Sequence, residues 1–248
     1  MSGRNYNKYL TGMRATLRDK MFFLNYININ DYEIIIDFGS GEGIVIEEIA
    51  KVIKNKNTIL IGIDKDPVMQ ELTKRRMNGY KNTYIQVEDL ETLNTKGKKA
   101  LIIFSSVLHE VGDYWSTIQK WLRENKPTVV IRDMYFNNYR ELSVIEVVKY
   151  AKMFPNNFID FVNKYCDDNW LGMDDIYHYL LKYTYVDSWE LELEEDYKSV
   201  PWRLIQKLYG NVIHDRKFTL EYKKKQVYND FGIELTSPTH REYIVELK

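Results

Sequence analysis

The chain has 248 residues, enough for one α/β domain with a large insertion or for two small domains. Its 35 Lys and Arg against 36 Asp and Glu leave a net charge of −1, so no whole-chain field points to nucleic acid, although a local basic face stays open. Cys166 is the single cysteine, which excludes a disulfide framework and a cysteine metal cluster and fits a reducing cytoplasm.

Met1 to Lys20 are polar and basic and lack the apolar core of a signal peptide, and no apolar run approaches the roughly twenty residues that span a bilayer. A soluble, cytoplasmic protein is expected. From about Tyr6 to Asn25, the apolar residues Tyr6, Leu10, Met13, Leu17 and Met21 recur at spacings of three and four, the pattern of an amphipathic helix. Its other face carries Arg4, Lys8, Arg14, Arg18 and Lys20 against Asp19. Residues 1–30 read as a helical cover, with Arg14 or Lys20 placed to reach an anionic group of a ligand.

Ile34-Ile35-Ile36 is a strand buried on both faces, which implies a sheet covered by helices on each side. Asp37 closes it, and Gly39-Ser40-Gly41-Glu42-Gly43 follows. Glycines at alternate positions permit positive φ and let a ligand approach without meeting a Cβ atom. The helix after them carries Ile44, Val45, Ile46, Ile49, Ala50, Val52 and Ile53. A dinucleotide fingerprint would need a third glycine at the position of Ile44, so the pattern is Asp-x-Gly-x-Gly-x-Gly instead.

A second buried strand, Thr58 to Ile63, ends at Asp64, about twenty residues past the last glycine, where a ribose-binding carboxylate belongs in a βαβ unit. Asp66 and Pro67 read as cap and first turn of a helix running to about Met77. The third strand, Thr83 to Val87, runs into Glu88 and Asp89; the fourth, Ala100 to Phe104, runs into Ser105-Ser106-Val107-Leu108-His109-Glu110. After a helix with Trp115, Ile118 and Trp121 inward comes the fifth strand, Thr128 to Asp133.

Some eighty residues, 136–215, then follow a helical pattern: Val144, Ile145, Val148 and Ala151; Phe158, Ile159, Val162 and Tyr165; Ile176, Tyr179, Leu180 and Tyr183. A structureless connection of that length is rare, so this segment reads as a helical insertion acting as a lid. A last insertion helix is expected from Ser199-Val200-Pro201 to Gly210. The aromatics Trp170, Tyr177, Tyr179, Trp189 and Trp202 are read mainly as core. The chain returns with a helix over Phe218 to Asn229 carrying Lys223-Lys224-Lys225, a short strand at Gly232 to Leu235, and a terminal strand, Arg241 to Leu247, as an antiparallel pair at one sheet edge.

The order of Asp37 and its glycines, Asp64, Asp89, Ser105 to His109 and the terminal strand pair resembles class I S-adenosylmethionine-dependent methyltransferases over nearly the whole chain outside the insertion. Asp19 to Phe23 before the first strand, with Ile131-Arg132-Asp133-Met134 at the fifth, is also similar to uncharacterised methyltransferases of phage and bacterial type. The resemblance implies an α/β fold: a doubly wound, seven-stranded, mostly parallel sheet, with core residues 31–135 and 216–248 and the helical insertion after the fifth strand. It implies S-adenosylmethionine as cofactor, held by Asp37, Gly39, Ser40, Gly41, Gly43, Asp64, Lys65, Ser105 and Lys20, with Glu88 or Asp89 taking the adenine amino group.

Methyl transfer from a sulfonium asks the protein to align the acceptor, exclude water and, where needed, remove a proton. His109 is the candidate base because imidazole titrates near neutral pH, and Glu110 is placed to orient it or to bind a cationic acceptor. The fourth strand is not followed by the Asn-Pro-Pro-Tyr or Asp-Pro-Pro-Tyr of exocyclic base methylation, and Cys166 lacks the Pro-Cys setting of a cytosine nucleophile. His109 and Glu110 resemble part of the metal cluster of RNA 3′-terminal methyltransferases, but the remaining ligands are not at matching spacing, so no metal is expected. The favoured reading is a small-molecule methyltransferase. Its alternatives are an RNA or nucleotide methyltransferase using the basic amino-terminal helix and Lys223 to Lys225, and a non-catalytic cofactor-fold binding protein.

Overall fold

The computed structural model describes residues 14, 16–135, 142–165, 172–186, 189–194 and 200–248. Five short apolar runs become strands: β1 (Ile34–Phe38), β2 (Ile59–Ile63), β3 (Tyr84–Val87), β4 (Ala100–Ser105) and β5 (Thr128–Met134). Their β-branched side chains suit a pleated surface covered on both faces, and every residue of β1 and β4 is buried. β1 pairs in parallel with β2 on one side, Ile34 opposite Ile59, and with β4 on the other, Ile34 opposite Ala100. β2 with β3 and β4 with β5 are also parallel.

Helices α2 (Ile44–Val52), α3 (Pro67–Met77) and α4 (Trp115–Asn125) make crossovers between these strands. α3 starts where its sequence says it should: Pro67 occupies the first turn, and the Asp66 carboxylate accepts the Val68 N–H at 2.8 Å. Two later strands, β6 (Gly210–Phe218) and β7 (His240–Leu247), complete a seven-stranded sheet of order β3-β2-β1-β4-β5-β7-β6. Strand order reverses between β1 and β4, and their carboxyl ends form the crevice in which open α/β sheets bind ligands. Under it, Phe23, Ile35, Ile46, Ile49, Leu60 and Leu101 are fully enclosed in one core.

The described residues fall into two compact units. Residues 7–133, 200–216 and 242–248 hold nearly all of the sheet, and residues 134–199 with 217–241 hold the remaining helices. The helical unit contains α5 (Val144–Ala151), α6 (Pro155–Tyr165), α7 (Met173–Lys182), α8 (Trp189–Glu194) and α10 (Glu221–Phe231), while α9 (Trp202–Ile205) belongs to the sheet unit. Its core is aromatic: Phe158, Phe161, Tyr179 and Tyr183 are buried together, and the Phe158 and Tyr179 rings meet edge to face at 5.0 Å.

Several expectations are corrected. The helix expected to stop at Gly210 is only Trp202–Ile205, and Gly210 opens β6, where an added Cβ would strike the Glu246 and Val245 atoms of β7. Gly232 to Leu235 is not a strand; Gly232 takes φ 67° as the cap of α10, and β6 rather than this segment lies beside β7. In α5 the helix forms but its face is turned: Val144, Ile145 and Val148 are exposed, and Tyr150 is the residue buried with Val147 and Ala151 alongside it. The amino-terminal helix is described only as α1 (Leu17–Lys20), followed by a 3₁₀ turn at Phe22–Asn25. Arg4, Tyr6, Lys8, Leu10 and Met13, together with Cys166 and Trp170, lie outside the described residues.

Ile35 lies at the centre of this core, so Ile35→Ala should lower unfolding free energy by about 2–5 kcal/mol. Urea denaturation followed by far-UV circular dichroism measures it, and a loss under about 1 kcal/mol would contradict the burial.

Candidate active site

The loop after β1 is shaped by its glycines. Gly39, Gly41 and Gly43 adopt φ of 71°, 52° and 78°, which L residues avoid. Gly39 and Gly43 are also too crowded for a side chain, since an added Cβ would lie 2.5 Å from Val107 Cγ2 and 2.5 Å from Thr73 Cγ2 respectively. At Gly41 a Cβ would meet nothing within 4 Å, so the backbone there is open to an incoming group.

Three neighbours hold this loop. The Asp64 carboxylate accepts the Gly41 N–H at 2.7 Å and the Asp66 N–H at 2.9 Å, which joins the end of β2 to the turn after β1. Burial raises the Asp64 pKa, the two backbone donors oppose that, and the charges of Asp66 and Glu110 add to it. Thr73 Oγ1 of α3 donates to the Gly41 carbonyl at 2.7 Å. Arg76, one turn on, donates through Nε to the Glu42 carbonyl at 2.8 Å and binds the Glu42 and Glu47 carboxylates at 2.5 and 2.8 Å. Arg14 completes this group, with Nη2 2.9 Å from Glu42 Oε2, so of the two cations offered for an anionic ligand group, Arg14 and Lys20, the first pairs with the loop.

Behind the loop is a small cavity lined by Lys20, Asp37, Gly39, Ser40, Gly41, Glu42, Ile44, Val45 and Ser105. Asp37 is 2 % exposed; burial pushes its carboxyl up to about 7 although Lys20 opposes the shift. Lys20 is equally buried, and burial pulls its amine down to about 7, with Arg132 adding to the effect and Asp37, Asp133 and Glu42 resisting it. Asp37 Oδ2, Ser40 Oγ and Ser105 Oγ are buried without a hydrogen-bond partner among the described residues. Orphaned polar atoms of this kind are costly, and three of them around one cavity mark a place where a polar ligand completes the structure.

The other expected site residues are placed as follows. Asp89 caps the turn Leu90–Thr92, accepting the Glu91 N–H at 2.9 Å, and takes the Tyr114 hydroxyl at 2.5 Å; that hydroxyl, then the Glu91 N–H, hold its pKa below the usual carboxylate range. Glu88 and Lys65 are exposed. His109 is enclosed, with Nδ1 2.7 Å from Asp133 Oδ1 and Nε2 3.5 Å from Glu110 Oε1. Burial alone would lower its pKa, but the Asp133 carboxylate, assisted by Glu110, outweighs that and raises it to about 10. The Asp133 carboxylate thus favours the imidazolium form of the ring, in which neither nitrogen accepts a proton. Among the described residues no cluster of His, Cys, Asp or Glu is arranged to hold a metal ion.

Sequence reasoning missed Glu42, Arg76, Tyr114 and the role of Asp133. The signal for Asp133 was present: Arg132 and Asp133 are two consecutive charged residues in a strand whose preceding residues, Val129, Val130 and Ile131, are all apolar and buried.

The comparisons agree with this architecture. Residues 29–184 match the methyltransferase domain family, and the chain belongs to it. It is an S-adenosylmethionine-dependent methyltransferase, with S-adenosylmethionine as its cofactor. No curated protein matches the sequence. Among solved structures, the MccD protein is 10 % identical, with 96 % of this chain and 98 % of that one covered and a TM-score of 0.56. An S-adenosylmethionine dependent methyltransferase from Mesorhizobium loti is 12 % identical over 90 % and 94 % of the two chains, with a TM-score of 0.52. The plantazolicin methyltransferase BamL, whose structure contains a triazolic desmethylPZN analog and SAH, is 12 % identical over 98 % and 88 %, with a TM-score of 0.50.

Gly43→Ala meets two obstacles, the positive φ and Thr73 Cγ2. The first costs about 1–2 kcal/mol, and the contact adds to it. Thr73→Ser removes Cγ2 and keeps the hydroxyl, so the double variant should regain part of the stability lost by Gly43→Ala in urea denaturation, whereas strict additivity would argue against the contact.

Proposed function

We propose that this methyltransferase acts on a small-molecule acceptor. The observation that carries the choice is the fate of the cations read as a phosphate-binding face. Arg14 pairs with Glu42, Lys20 is buried, Lys224 pairs with Glu221, and Lys223 is enclosed with its Nζ 5.5 Å from the Tyr183 ring and its pKa lowered to about 8 by burial. Among the described cations of those two faces, Arg18 and Lys225 remain exposed outside such pairs, too few to track a polyanionic backbone.

The residues around the cavity fit the cofactor. Gly39, Ser40 and Gly41 would cradle its amino-acid end with bare backbone and the Ser40 hydroxyl, and Ser105 and Asp37 offer the polar atoms that have no partner among the described residues. Lys20 would meet its carboxylate and Asp37 a cationic group, which restores full charge to two side chains that burial pushes toward neutrality. Asp64 would take the ribose hydroxyls, its orientation already set by the Gly41 and Asp66 N–H groups, and Asp89 or Glu88 would meet the adenine amino group. When bound, the cofactor supplies a methyl group on a sulfonium whose sulfur keeps the bonding pair as the methyl leaves. The protein's share is to hold the acceptor in line, keep water away and receive a proton at the turn after β4.

Incubation with methyl-labelled S-adenosylmethionine against separated RNA, DNA, protein and metabolite fractions should put label in the metabolite fraction only. Label in RNA that declines steeply with salt would overturn the acceptor assignment, and cofactor binding with no label anywhere would leave a binding module. For the cradle, Lys20→Met should weaken S-adenosylhomocysteine binding by about 10- to 100-fold, the worth of one hydrogen bond to a charged group. Asp64→Ala should weaken it as well while His109→Gln spares it; equal losses in isothermal calorimetry would show that the two roles are wrongly divided.

A further inference from the structure

Arg132 and Asp133, near the carboxyl end of β5, hold the turn that follows β4. Ser106, a non-glycine residue at φ 59°, donates its N–H to the Arg132 carbonyl at 2.8 Å and receives Arg132 Nη1 on its hydroxyl at 2.8 Å. Asp133, fully buried, accepts the N–H groups of Val107 and Leu108 on Oδ2 at 3.0 and 2.7 Å, and meets His109 Nδ1 with Oδ1 at 2.7 Å. A backbone held in the left-handed region costs about 1–3 kcal/mol and persists only where its surroundings over-determine it. Here one dipeptide supplies those surroundings.

The turn so held belongs to the cofactor end of the sheet. Val107 fills the space a side chain at Gly39 would need, and the charge of Glu110 acts on Asp64. Within the turn, His109 has a carboxylate at each ring nitrogen, Asp133 inside and Glu110 outside. Glu110 is the outer member, with a side chain 39 % exposed against 6 % for His109. A dissolved acceptor can reach the first and not the second.

We propose that Arg132 and Asp133 are positioning residues that fix this turn, that His109 is a hydrogen-bonded bridge between two carboxylates, and that Glu110 takes the acceptor's proton. The proposal rests on the methyl-transfer reading and narrows its substrate class to acceptors methylated on a hydroxyl or amine. A lone pair on the acceptor oxygen or nitrogen forms the new bond to the methyl carbon, the O–H or N–H bond breaks with its pair left on that atom, and the proton passes to a Glu110 oxygen. Glu110 then returns the proton to water, to which it is open.

The charged groups around the ring support the bridge. Asp133 faces it from β5 and Glu110 from its own turn; around Asp133 lie Arg132 on the same strand and Lys20 on α1, and around Glu110 lies Asp64 at the end of β2. A histidine whose folded pKa is about 10 against 6.5 unfolded adds stability that is complete below about pH 6.5 and is lost as pH rises through about 10.

Nitrogen-15 NMR of the full chain tests the bridge without an acceptor. Four histidines are present, and His109→Gln assigns the signal. The wild-type His109 ring should stay doubly protonated from pH 6 to pH 9, and Asp133→Asn should move its titration toward that of a free histidine; a wild-type midpoint near 6.5 overturns the proposal. Should Asp133→Asn not fold, Glu110→Gln changes an exposed residue, and an unshifted His109 midpoint in that variant overturns the bridge equally. With the acceptor found by labelling, Glu110→Gln should lower kcat about 100-fold or more while S-adenosylhomocysteine affinity is kept, and unchanged kcat removes Glu110 from proton transfer. Absence of S-adenosylhomocysteine binding to the wild-type chain would instead fail the methyltransferase reading, which the histidine titration does not depend on.

Discussion

The site is built on charge that has been taken out of water. Asp37 and Lys20 line the same cavity, both almost completely buried, and each is drawn toward its neutral form by burial while the opposite charge resists. A buried ion costs several kcal/mol unless partners replace its hydration, so such groups are poor choices for stability alone. Their presence at the tips of an otherwise apolar sheet makes sense for a zwitterionic ligand, whose two charges match theirs.

Around that pair, the glycine loop trades backbone freedom for fixed hydrogen bonds. Positive φ at Gly39, Gly41 and Gly43 gives the chain a sharp path after β1, and glycine alone would leave that path mobile. Asp64 takes the Gly41 N–H, Thr73 its carbonyl, and Arg76 the carbonyl of Glu42, so strands and helix distant in sequence restrain the same residues. Opposite them, Arg132 and Asp133 do the same for the turn after β4. Two loops with unfavourable backbone angles are thus each held by side chains from a neighbouring element, which is the preorganisation that charge stabilisation at a reacting centre needs.

The helical unit is held by different means. Phe158, Phe161, Tyr179, Tyr183 and Trp189 supply the buried area; the Tyr183 hydroxyl meets Asp230, while the Tyr179 hydroxyl and Trp189 Nε1 are buried without a hydrogen-bond partner among the described residues. Lys223 lies among these rings with its Nζ also 3.4 Å from the Leu180 carbonyl, which shows how a lysine in a basic-looking run can serve a core. A run of three lysines carries no information about which of them faces inward until the helix has a neighbour.

The sequence by itself determined the parallel sheet, the order of its first five strands, the glycine loop and the acidic strand ends, because β-branched runs, caps and glycine spacing act over a few residues and need no distant partner. It also carried Asp64 and Asp37, whose places at strand ends follow from the βαβ pattern. Only the tertiary structure decided that Gly210 starts a strand, that Arg14 belongs to Glu42, that Lys223 is core and that Asp133 governs His109. Each of these depends on which side chain lies across from another in space, over separations such as the twenty-eight residues from Arg14 to Glu42, and on how burial and neighbouring charge then reset its protonation. The histidine was visible in the sequence, and the carboxylate at its Nδ1 was not.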